Sequence, residues 1–220
     1  MLLILPLRAE GHLGPIDQAV GSLFDSLLAP ISSATCNLEG PMPREMALRR
    51  VVDRTEALLR SEGRPVEHEE MMAIARIVDR ASLAYHLSPA LIFSVIHSES
   101  QFRKDVQSPD GAIGLMQIQA ETARQFADAA GLTIASYGAL FEPETNIFIG
   151  AGYLSSLIDQ FGDLKTALAA YHVGPTEISR RVTEGEGFSD TYGGRIRARE
   201  LFYTTSLPVR PNALLESTRS

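Results

Sequence analysis

Cysteine is nearly absent from this sequence, and so are long hydrophobic runs. Cys36 is the single cysteine among 220 residues, which excludes a disulfide within the chain and a zinc site built on paired cysteines and histidines. No apolar stretch approaches the roughly 18 to 20 residues that a membrane-spanning helix needs, so we expect no transmembrane segment. Hydrophobic residues make up 45% and charged residues 21% of the chain, a composition typical of globular proteins.

The chain is also poor in basic residues relative to acidic ones. Its 20 lysines and arginines stand against 27 aspartates and glutamates, which gives a formal net charge of −7 and an isoelectric point near 5.3. This balance argues against nucleic acid as the main partner. The one basic cluster, at residues 195–199, is too short to change that conclusion.

The N-terminal segment lacks a convincing signal peptide. Residues 1–7 are apolar, but no basic segment precedes them, and Arg8 and Glu10 end the run early. Cys36 is a poor match to a lipoprotein cleavage site because Ser33 stands where an aliphatic residue is expected. The sequence therefore leaves the export route open.

Hydrophobic residues recur at helical spacing along nearly the whole chain. The spacing and the capping residues predict helices at 15–28, 44–61, 67–85, 89–100, 121–130, 143–161, 164–173 and 190–204. A segment rich in proline, glycine and serine, residues 30–43, is typical of a linker. We find no alternating strand of useful length, so the predicted fold class is all-α.

Glu99 interrupts the apolar face of the helix that begins at Pro89. The inward stripe of that helix consists of Ile92, Val95 and Ile96. Glu99 continues the stripe, and it also lies at the negative end of the helix dipole. Both features disfavour the ionised carboxylate, so we expect a raised pKa, as a general acid requires. The alternative is a frayed helix end that turns Glu99 to solvent.

His97 points to another side of the helix, and we expect it at the surface or at the edge of a groove.

Two further segments combine glycine with polar residues. Residues 111–118 place two glycines three apart, which favours a backbone that approaches another group closely. Gln117 lies in this apolar run and needs a partner, either a buried backbone group or a ligand amide. In residues 169–175, Tyr171 ends an apolar stripe just before the helix breaks, which brings its hydroxyl near a surface crevice. Taken alone, each segment is explained as well by an ordinary loop or by core packing.

Together, these segments resemble the soluble lytic transglycosylase family of bacterial cell-wall enzymes, whose catalytic domain has a goose-lysozyme-like fold. The resemblance covers roughly residues 85–192 and rests on four motifs in the family's order. They are Glu99-Ser100, the Ser-x-x-Gly-Ala-x-Gly-Leu-Met-Gln run at 108–117, the Pro-x-x-Asn-Ile-x-x-Gly-x-x-Tyr-Leu run at 143–154, and Ala-Tyr-His-x-Gly-Pro at 170–175.

The resemblance implies cleavage of the β-1,4 bond between N-acetylmuramic acid and N-acetylglucosamine in peptidoglycan. Glu99 would protonate the glycosidic oxygen, and the substrate's own N-acetyl carbonyl would stabilise the sugar cation. Glu99 would then deprotonate the muramoyl 6-hydroxyl, which closes a 1,6-anhydro ring. By matched position, the substrate-binding residues are Ser108, Leu115, Met116, Gln117, Tyr171, His172 and Tyr192. The resemblance calls for no metal and no cofactor.

The resemblance also sets the expected organisation and setting of the chain. We expect an N-terminal helix and linker (1–43), a helical extension packed on the catalytic domain (44–84), the lysozyme-like catalytic domain (85–204) and a C-terminal tail (205–220). The expected partners are peptidoglycan glycan strands and, beyond them, cell-envelope machinery. The expected state is a monomer in the periplasm or cell envelope.

The chain departs from the family pattern at three places. His172 stands where the family has asparagine, and imidazole is bulkier and gains a charge below neutral pH. Ala120 stands where the family usually has proline. Tyr192 comes too early for the family's late tyrosine motif, and Gly194 occupies the expected position, although a loop adjustment would let Tyr192 serve. These departures concern substrate positioning more than the acid itself.

Two other functions are compatible with the motifs. A lysozyme-like hydrolase would need a second carboxylate to activate water, and Asp105 or Asp110 in the loop after Glu99 is a candidate. Alternatively, a non-catalytic glycan-binding or assembly domain would keep the groove and lose turnover. The products released from cell-wall sacculi separate the three hypotheses.

Overall fold

The computed structural model describes residues 43–130 and 136–205. Over these ranges the fold is all-α, as predicted, with eight α-helices, one short 3-10 helix and two strands of two residues each. The predicted helix at 15–28, the linker before Pro43 and the tail after 205 lie outside the described residues. No helix in the described ranges is long and apolar enough to cross a membrane.

The helices follow one another through short connections. In chain order they are α1 (Pro43–Ser61), α2 (His68–Ala84), α3 (Pro89–Glu99), α4 (Ala120–Ala130), α5 (Pro143–Phe161), α6 (Leu164–Val173), α7 (Pro175–Glu184) and α8 (Thr191–Thr204). Between α3 and α4, strands β1 (Ala112–Ile113) and β2 (Ile118–Gln119) pair antiparallel, and the 3-10 helix spans Tyr137–Phe141. The predicted helices in the described ranges match the observed bounds to within one residue at each end.

Helix α7 is the α-helix of the described residues that the sequence pattern missed, together with the 3-10 helix and the two short strands. Gly174-Pro175 ends α6, as predicted, but Pro175 is also the first residue of α7. Gly174 has a φ of +104°, a conformation that residues with a side chain rarely adopt. It turns the chain between the two helices, and the fixed φ of proline suits the first helical position.

Helix α3 lies in the centre of the hydrophobic core. Its residues from Ala90 to His97 are all buried, as expected for a helix that is apolar on every side. It packs against α8 and α2. One continuous buried cluster joins α1, α2, α3, α5 and α8 through side chains that include Val51, Val78, Phe93, Leu154 and Ile196. Helices α1 and α2 thus share the core of the later helices, while the proposed domain boundary at residue 85 stays a prediction.

His97 is a buried histidine in this core, so the expectation of a surface position is wrong. Its side chain is 2% exposed, and Nδ1 lies 2.8 Å from the Tyr203 hydroxyl on α8. The Tyr203 hydroxyl is bonded in turn to Thr55, whose own hydroxyl donates to the Val51 carbonyl at 2.6 Å. This order of donors places the proton of the neutral imidazole on Nδ1. Nε2 is buried without a hydrogen-bond partner in the described chain, so protonation there would create an unsatisfied charged donor.

We predict that His97 makes the fold less stable in mild acid. Burial, reinforced by the Arg199 charge, lowers the pKa of His97 to about 4. Since an unfolded histidine titrates near 6.5, the unfolded chain binds more protons below that pH, and stability falls as the pH drops from about 6.5 towards 4. Between pH 7 and pH 4.5, the free energy of unfolding should fall by about 2 kcal/mol less in His97→Gln than in wild type. Urea denaturation of both proteins at each pH measures this difference. Equal losses in the two proteins would contradict this assignment.

Candidate active site

A cavity of about 410 Å³ opens where α3 ends, between the loop of residues 100–119 and the junction of α6 and α7. We call this loop the site loop. The polar residues that line the cavity are Glu99, Ser108, Asp110, Gln117, Gln119, Thr122, Tyr153, Tyr171 and His172. Four of the seven predicted substrate-binding residues are therefore brought together here around Glu99.

Glu99 is a half-buried carboxyl group on the last residue of α3. The helix does not fray at this end, because both the N–H and the hydroxyl of Ser100 donate to the Ile96 carbonyl, at 3.0 and 3.1 Å. The Tyr192 hydroxyl donates to Glu99 Oε1 at 2.6 Å. Burial raises the pKa of Glu99, and this effect outweighs the opposing effects of the Tyr192 hydrogen bond and the Arg195 charge. The raised pKa favours the protonated form of this carboxyl group, which lines the cavity.

Tyr192 reaches Glu99 although its place in the sequence is earlier than the family motif. Helix α8 begins at Thr191, so Tyr192 lies in its first turn, where it faces the end of α3. Its side chain is 4% exposed, and burial raises the pKa of its hydroxyl well above the usual range. It does not line the 410 Å³ cavity. Its predicted contact with substrate stays a prediction, whereas its contact with the acid is direct.

Asn146 on α5 holds the site loop in place, a role that the sequence analysis did not assign to it. Its fully buried amide accepts from the Met116 N–H at 2.7 Å and donates to the carbonyls of Ile113 and Leu140, each at 2.8 Å. Gly114 lets this amide approach, since a Cβ there would lie 2.6 Å from the Leu140 carbonyl and closer still to Asn146. The predicted close approach is thus made by Gly114 to a side chain of the core, whereas for Gly111 the prediction is wrong, because a Cβ there would meet nothing within 4 Å.

Gln117 and Ser108 present their remaining hydrogen-bonding capacity to the cavity. The Gln117 amide nitrogen donates to the carbonyls of Val106 and Gly114, at 3.2 and 2.9 Å, which leaves its oxygen as an acceptor. Ser108 Oγ accepts from the Ala112 N–H at 3.0 Å, which leaves its hydroxyl hydrogen as a donor. One acceptor and one donor therefore stand on the same wall.

Tyr171 and His172 form the opposite wall, at the end of α6. The Tyr171 hydroxyl donates to the Met116 carbonyl at 2.9 Å, and burial raises its pKa well above the usual range, so it stays protonated. His172 is exposed, and its ring stacks on the Tyr192 ring. Burial of part of its surface and the Arg195 charge lower the pKa of His172, which favours the neutral imidazole.

Leu115 and Met116 lie behind the cavity wall. Both side chains are fully buried, and neither residue lines the cavity. The Met116 backbone is occupied on both sides, by Asn146 and by Tyr171. The structure gives these two residues a supporting position, and their predicted contact with substrate stays a prediction.

One group of side chains outside the cavity has the composition of a metal site. Asp53, Glu56 and His68 each bring a ligand atom to within 4.8 Å of the others. Glu56 is already paired with His68 Nδ1 at 2.7 Å, and none of the three lines the cavity. This group therefore has no place in the chemistry of Glu99.

The family follows from a match over the residues that build this site. A sequence model of the transglycosylase SLT domain matches residues 76–191, slightly more than half of the chain. The chain belongs to this family. The resemblance drawn from the four motifs is thereby confirmed, and the matched range includes Glu99 and the cavity walls.

Individual relatives of the SLT domain agree with the match. The chain is 37% identical over 102 residues to a transglycosylase of Enterobacteria phage PRD1, covering 46% of this chain and 35% of the relative. It is 35% identical over 117 residues to the soluble lytic murein transglycosylase of Salmonella typhimurium, covering 51% and 18%. The 70 kDa soluble lytic transglycosylase of Escherichia coli has the same fold over 59% of this chain and 24% of its own, with 28% identity and a TM-score of 0.54. The chain thus spans about a third or less of the length of these relatives.

We predict that Tyr192→Phe raises the pKa of Glu99 further. The tyrosine hydroxyl stabilises the ionised carboxylate, so its removal leaves the effect of burial less opposed. The measurement is an NMR titration of the Glu99 side-chain carboxyl carbon in wild type and variant. Tyr153→Phe is the matched control, because Tyr153 lines the cavity and contacts the Tyr171 ring. An unchanged Glu99 titration in Tyr192→Phe would contradict the assigned hydrogen bond.

We also predict that Asn146→Asp loosens the site loop. The carboxylate still accepts from Met116, but it cannot donate to the two carbonyls, and an uncompensated charge becomes buried beside them. The loss in free energy of unfolding should be about 3 kcal/mol at pH 7, measured by urea denaturation. Gln119→Glu makes the same chemical change at an exposed position and should have a much smaller effect. Equal stability of the two variants would argue against the role of Asn146.

Proposed function

We propose that this chain is a peptidoglycan lytic transglycosylase with Glu99 as its catalytic residue. The observation that carries the proposal is a half-buried carboxyl group, whose pKa is raised by burial, at the wall of a cavity built by the SLT domain. A carboxyl with a raised pKa is the group that a glycosidic oxygen needs as a proton donor. The relatives named above carry transglycosylase in their names, which supports the same reaction class.

The proposed reaction uses one carboxyl group twice. Glu99 gives its proton to the glycosidic oxygen as the bond from that oxygen to C1 of N-acetylmuramic acid breaks, and N-acetylglucosamine leaves as an alcohol. The N-acetyl carbonyl oxygen of the same sugar bonds to C1 and spreads the positive charge. Glu99, now a carboxylate, takes the proton of the 6-hydroxyl, whose oxygen bonds to C1 and displaces the carbonyl oxygen. The glycan ends in a 1,6-anhydro ring, and no water is consumed.

The Tyr192 hydroxyl suits both roles of Glu99. As a neutral donor it steadies the carboxylate after the first step, and it does so without the strong depression of pKa that a fixed cation would cause. The remaining acceptor of Gln117 and the hydroxyl hydrogen of Ser108 suit the N–H and C=O groups of an acetamido sugar. We therefore assign substrate orientation to these two residues together with Tyr171, whereas the predicted contact of His172 with substrate stays a prediction.

A lysozyme-like hydrolase is the second candidate, because Asp110 lines the same cavity as Glu99. Such an enzyme would use the second carboxylate to activate water or to form a glycosyl intermediate. Asp105 is exposed and does not line the cavity. This narrows the hydrolase hypothesis to Asp110 and makes Asp105 a control for it.

We predict that Glu99→Gln abolishes digestion of purified sacculi. The isosteric amide cannot transfer a proton, so the rate should fall roughly a hundredfold to ten-thousandfold. Mass analysis of the fragments from wild type should give anhydro-muropeptides, which are lighter by one water than hydrolytic products. Asp110→Asn and Asp105→Asn should both keep these products.

The other outcomes of this experiment separate the alternatives. Reducing-end products that disappear in Asp110→Asn would favour the hydrolase. Retained binding of sacculi by wild type, with no soluble fragments, would favour the non-catalytic glycan-binding domain. Full activity of Glu99→Gln would remove Glu99 from the mechanism.

The proposed substrate places the protein in the cell envelope, because murein lies there. Peptidoglycan glycan strands are the partner that the cavity supports. A further partner in envelope machinery and a monomeric state stay predictions from the resemblance.

A further inference from the structure

The rings of His172 and Tyr192 are stacked face to face beside the acid. Their centroids are 4.5 Å apart, and their planes differ by 2°. The two residues come from different helices, α6 and α8. The hydroxyl of the same tyrosine donates to Glu99 Oε1 at 2.6 Å. The stack therefore connects the end of α6 with the acid through one buried aromatic ring.

The His172 ring lies against one face of the Tyr192 ring, and the rest of this tyrosine is packed in the main hydrophobic core. The two residues that follow it are Gly193 and Gly194, which offer no side chain to pack against. The Arg195 guanidinium carbon lies 5.6 Å from the ring centroid, on an exposed side chain. A hydrogen bond at the tip fixes the position of the hydroxyl, whereas the orientation of the ring is set by what lies against its faces.

The imidazole of His172 is not held by polar contacts of its own. Its ring nitrogens make no hydrogen bond to any residue in the described ranges, and the ring lines both the 410 Å³ cavity and a neighbouring cavity of about 260 Å³ that Tyr192 and Arg195 also line. Within the described residues, the stack on Tyr192 is the only ring contact of this imidazole. An asparagine, the residue that the family motif has at this position, has no ring face with which to make it.

We propose that His172 is a positioning residue, whose ring holds the Tyr192 ring in the plane that directs its hydroxyl to Glu99. The inference rests on the proposed function of Glu99 and deepens it, since it makes the acid depend on a histidine of a neighbouring helix. Its effect reaches the reaction through Tyr192. Loss of the ring should therefore lower kcat and leave KM nearly unchanged.

The test compares two substitutions of the same residue. His172→Asn removes the ring and keeps a polar edge, whereas His172→Phe keeps a ring face and removes the polar edge. For a stacked aromatic pair, kcat on sacculi should fall roughly threefold to tenfold in His172→Asn, with less than about a twofold change in His172→Phe. His86→Asn is the control, because His86 lies outside the cavity with a positive φ that asparagine tolerates.

A double-mutant cycle shows whether the effect passes through the Tyr192 hydroxyl. In a Tyr192→Phe background the hydroxyl is already absent, so adding His172→Asn should lower kcat by less than about a further twofold. If the two effects multiply, or if His172→Phe is impaired while His172→Asn is not, the imidazole acts on the substrate directly and the proposal is wrong. A change confined to KM would also overturn it.

A readout that needs no turnover keeps this proposal separate from the proposed function. The pKa of Glu99, measured by titration of its carboxyl carbon, should rise in His172→Asn, as it should in Tyr192→Phe. It should rise less in His172→Phe. The two His172 variants have the same charge at every pH, so charge does not explain a difference between them. The same ordering in a protein without lytic activity would support the positioning role and count against the enzyme. Identical titrations in the two variants would overturn the positioning role whatever the activity.

Discussion

Two hydrogen bonds of Asn146 hold the site loop to the helical core, a third joins the same side chain to the 3-10 helix, and the rest of the site depends on them. A buried amide both donates and accepts, so it can bond the Met116 N–H and the Ile113 carbonyl of the loop together with the Leu140 carbonyl of the 3-10 helix. Because the Met116 backbone is fixed in this way, its carbonyl is in place to accept from Tyr171 on α6. The loop, α5 and α6 are therefore positioned by one side chain and by a glycine that lets the loop approach it.

The acid itself is set by a balance of two opposing effects. Helix α3 is apolar around its buried length, so the carboxyl at its end is only partly solvated, and burial raises the pKa of Glu99. The Tyr192 hydroxyl and the more distant Arg195 charge act in the other direction without reversing the sign. A bonded guanidinium in place of the tyrosine would favour the ionised form. A neutral donor thus holds the Glu99 carboxyl in position while its pKa stays raised.

The sequence predicts the helices of this fold well because their signals are local. Ser88-Pro89 and Asp163 mark helix starts, and the Asp163 side chain does accept from the Thr166 N–H at 2.8 Å. Helix α7 escapes the pattern because one glycine-proline pair both ends a helix and begins the next.

The contacts of the candidate site are less predictable, because they join residues that are distant in sequence. Glu99 is conspicuous as a carboxylate on an apolar stripe, but its partner Tyr192 is 93 positions away, and motif spacing alone places that tyrosine too early. Asn146 is visible only as a motif position, since nothing near it in the chain reveals its bond to the Ile113 carbonyl, 33 residues before it. His97 follows the same rule, because its hydrogen-bond partner Tyr203 on α8 is 106 positions away.

The same face of helix α8 packs into the hydrophobic core and contacts Glu99. Its buried residues Tyr192, Ile196 and Tyr203 are spaced by four and seven positions, which places them on one side of a helix. Two of these side chains end in hydroxyls that reach α3, where one bonds the neutral His97 and the other bonds Glu99. The packing around His97 thus also fixes the position of α8 along the axis of α3. This position determines whether the Tyr192 hydroxyl lies within hydrogen-bonding distance of Glu99. A displacement of α8 that is small enough to keep the fold would still separate the tyrosine from the acid, so this domain should lose its catalytic geometry before it loses its core.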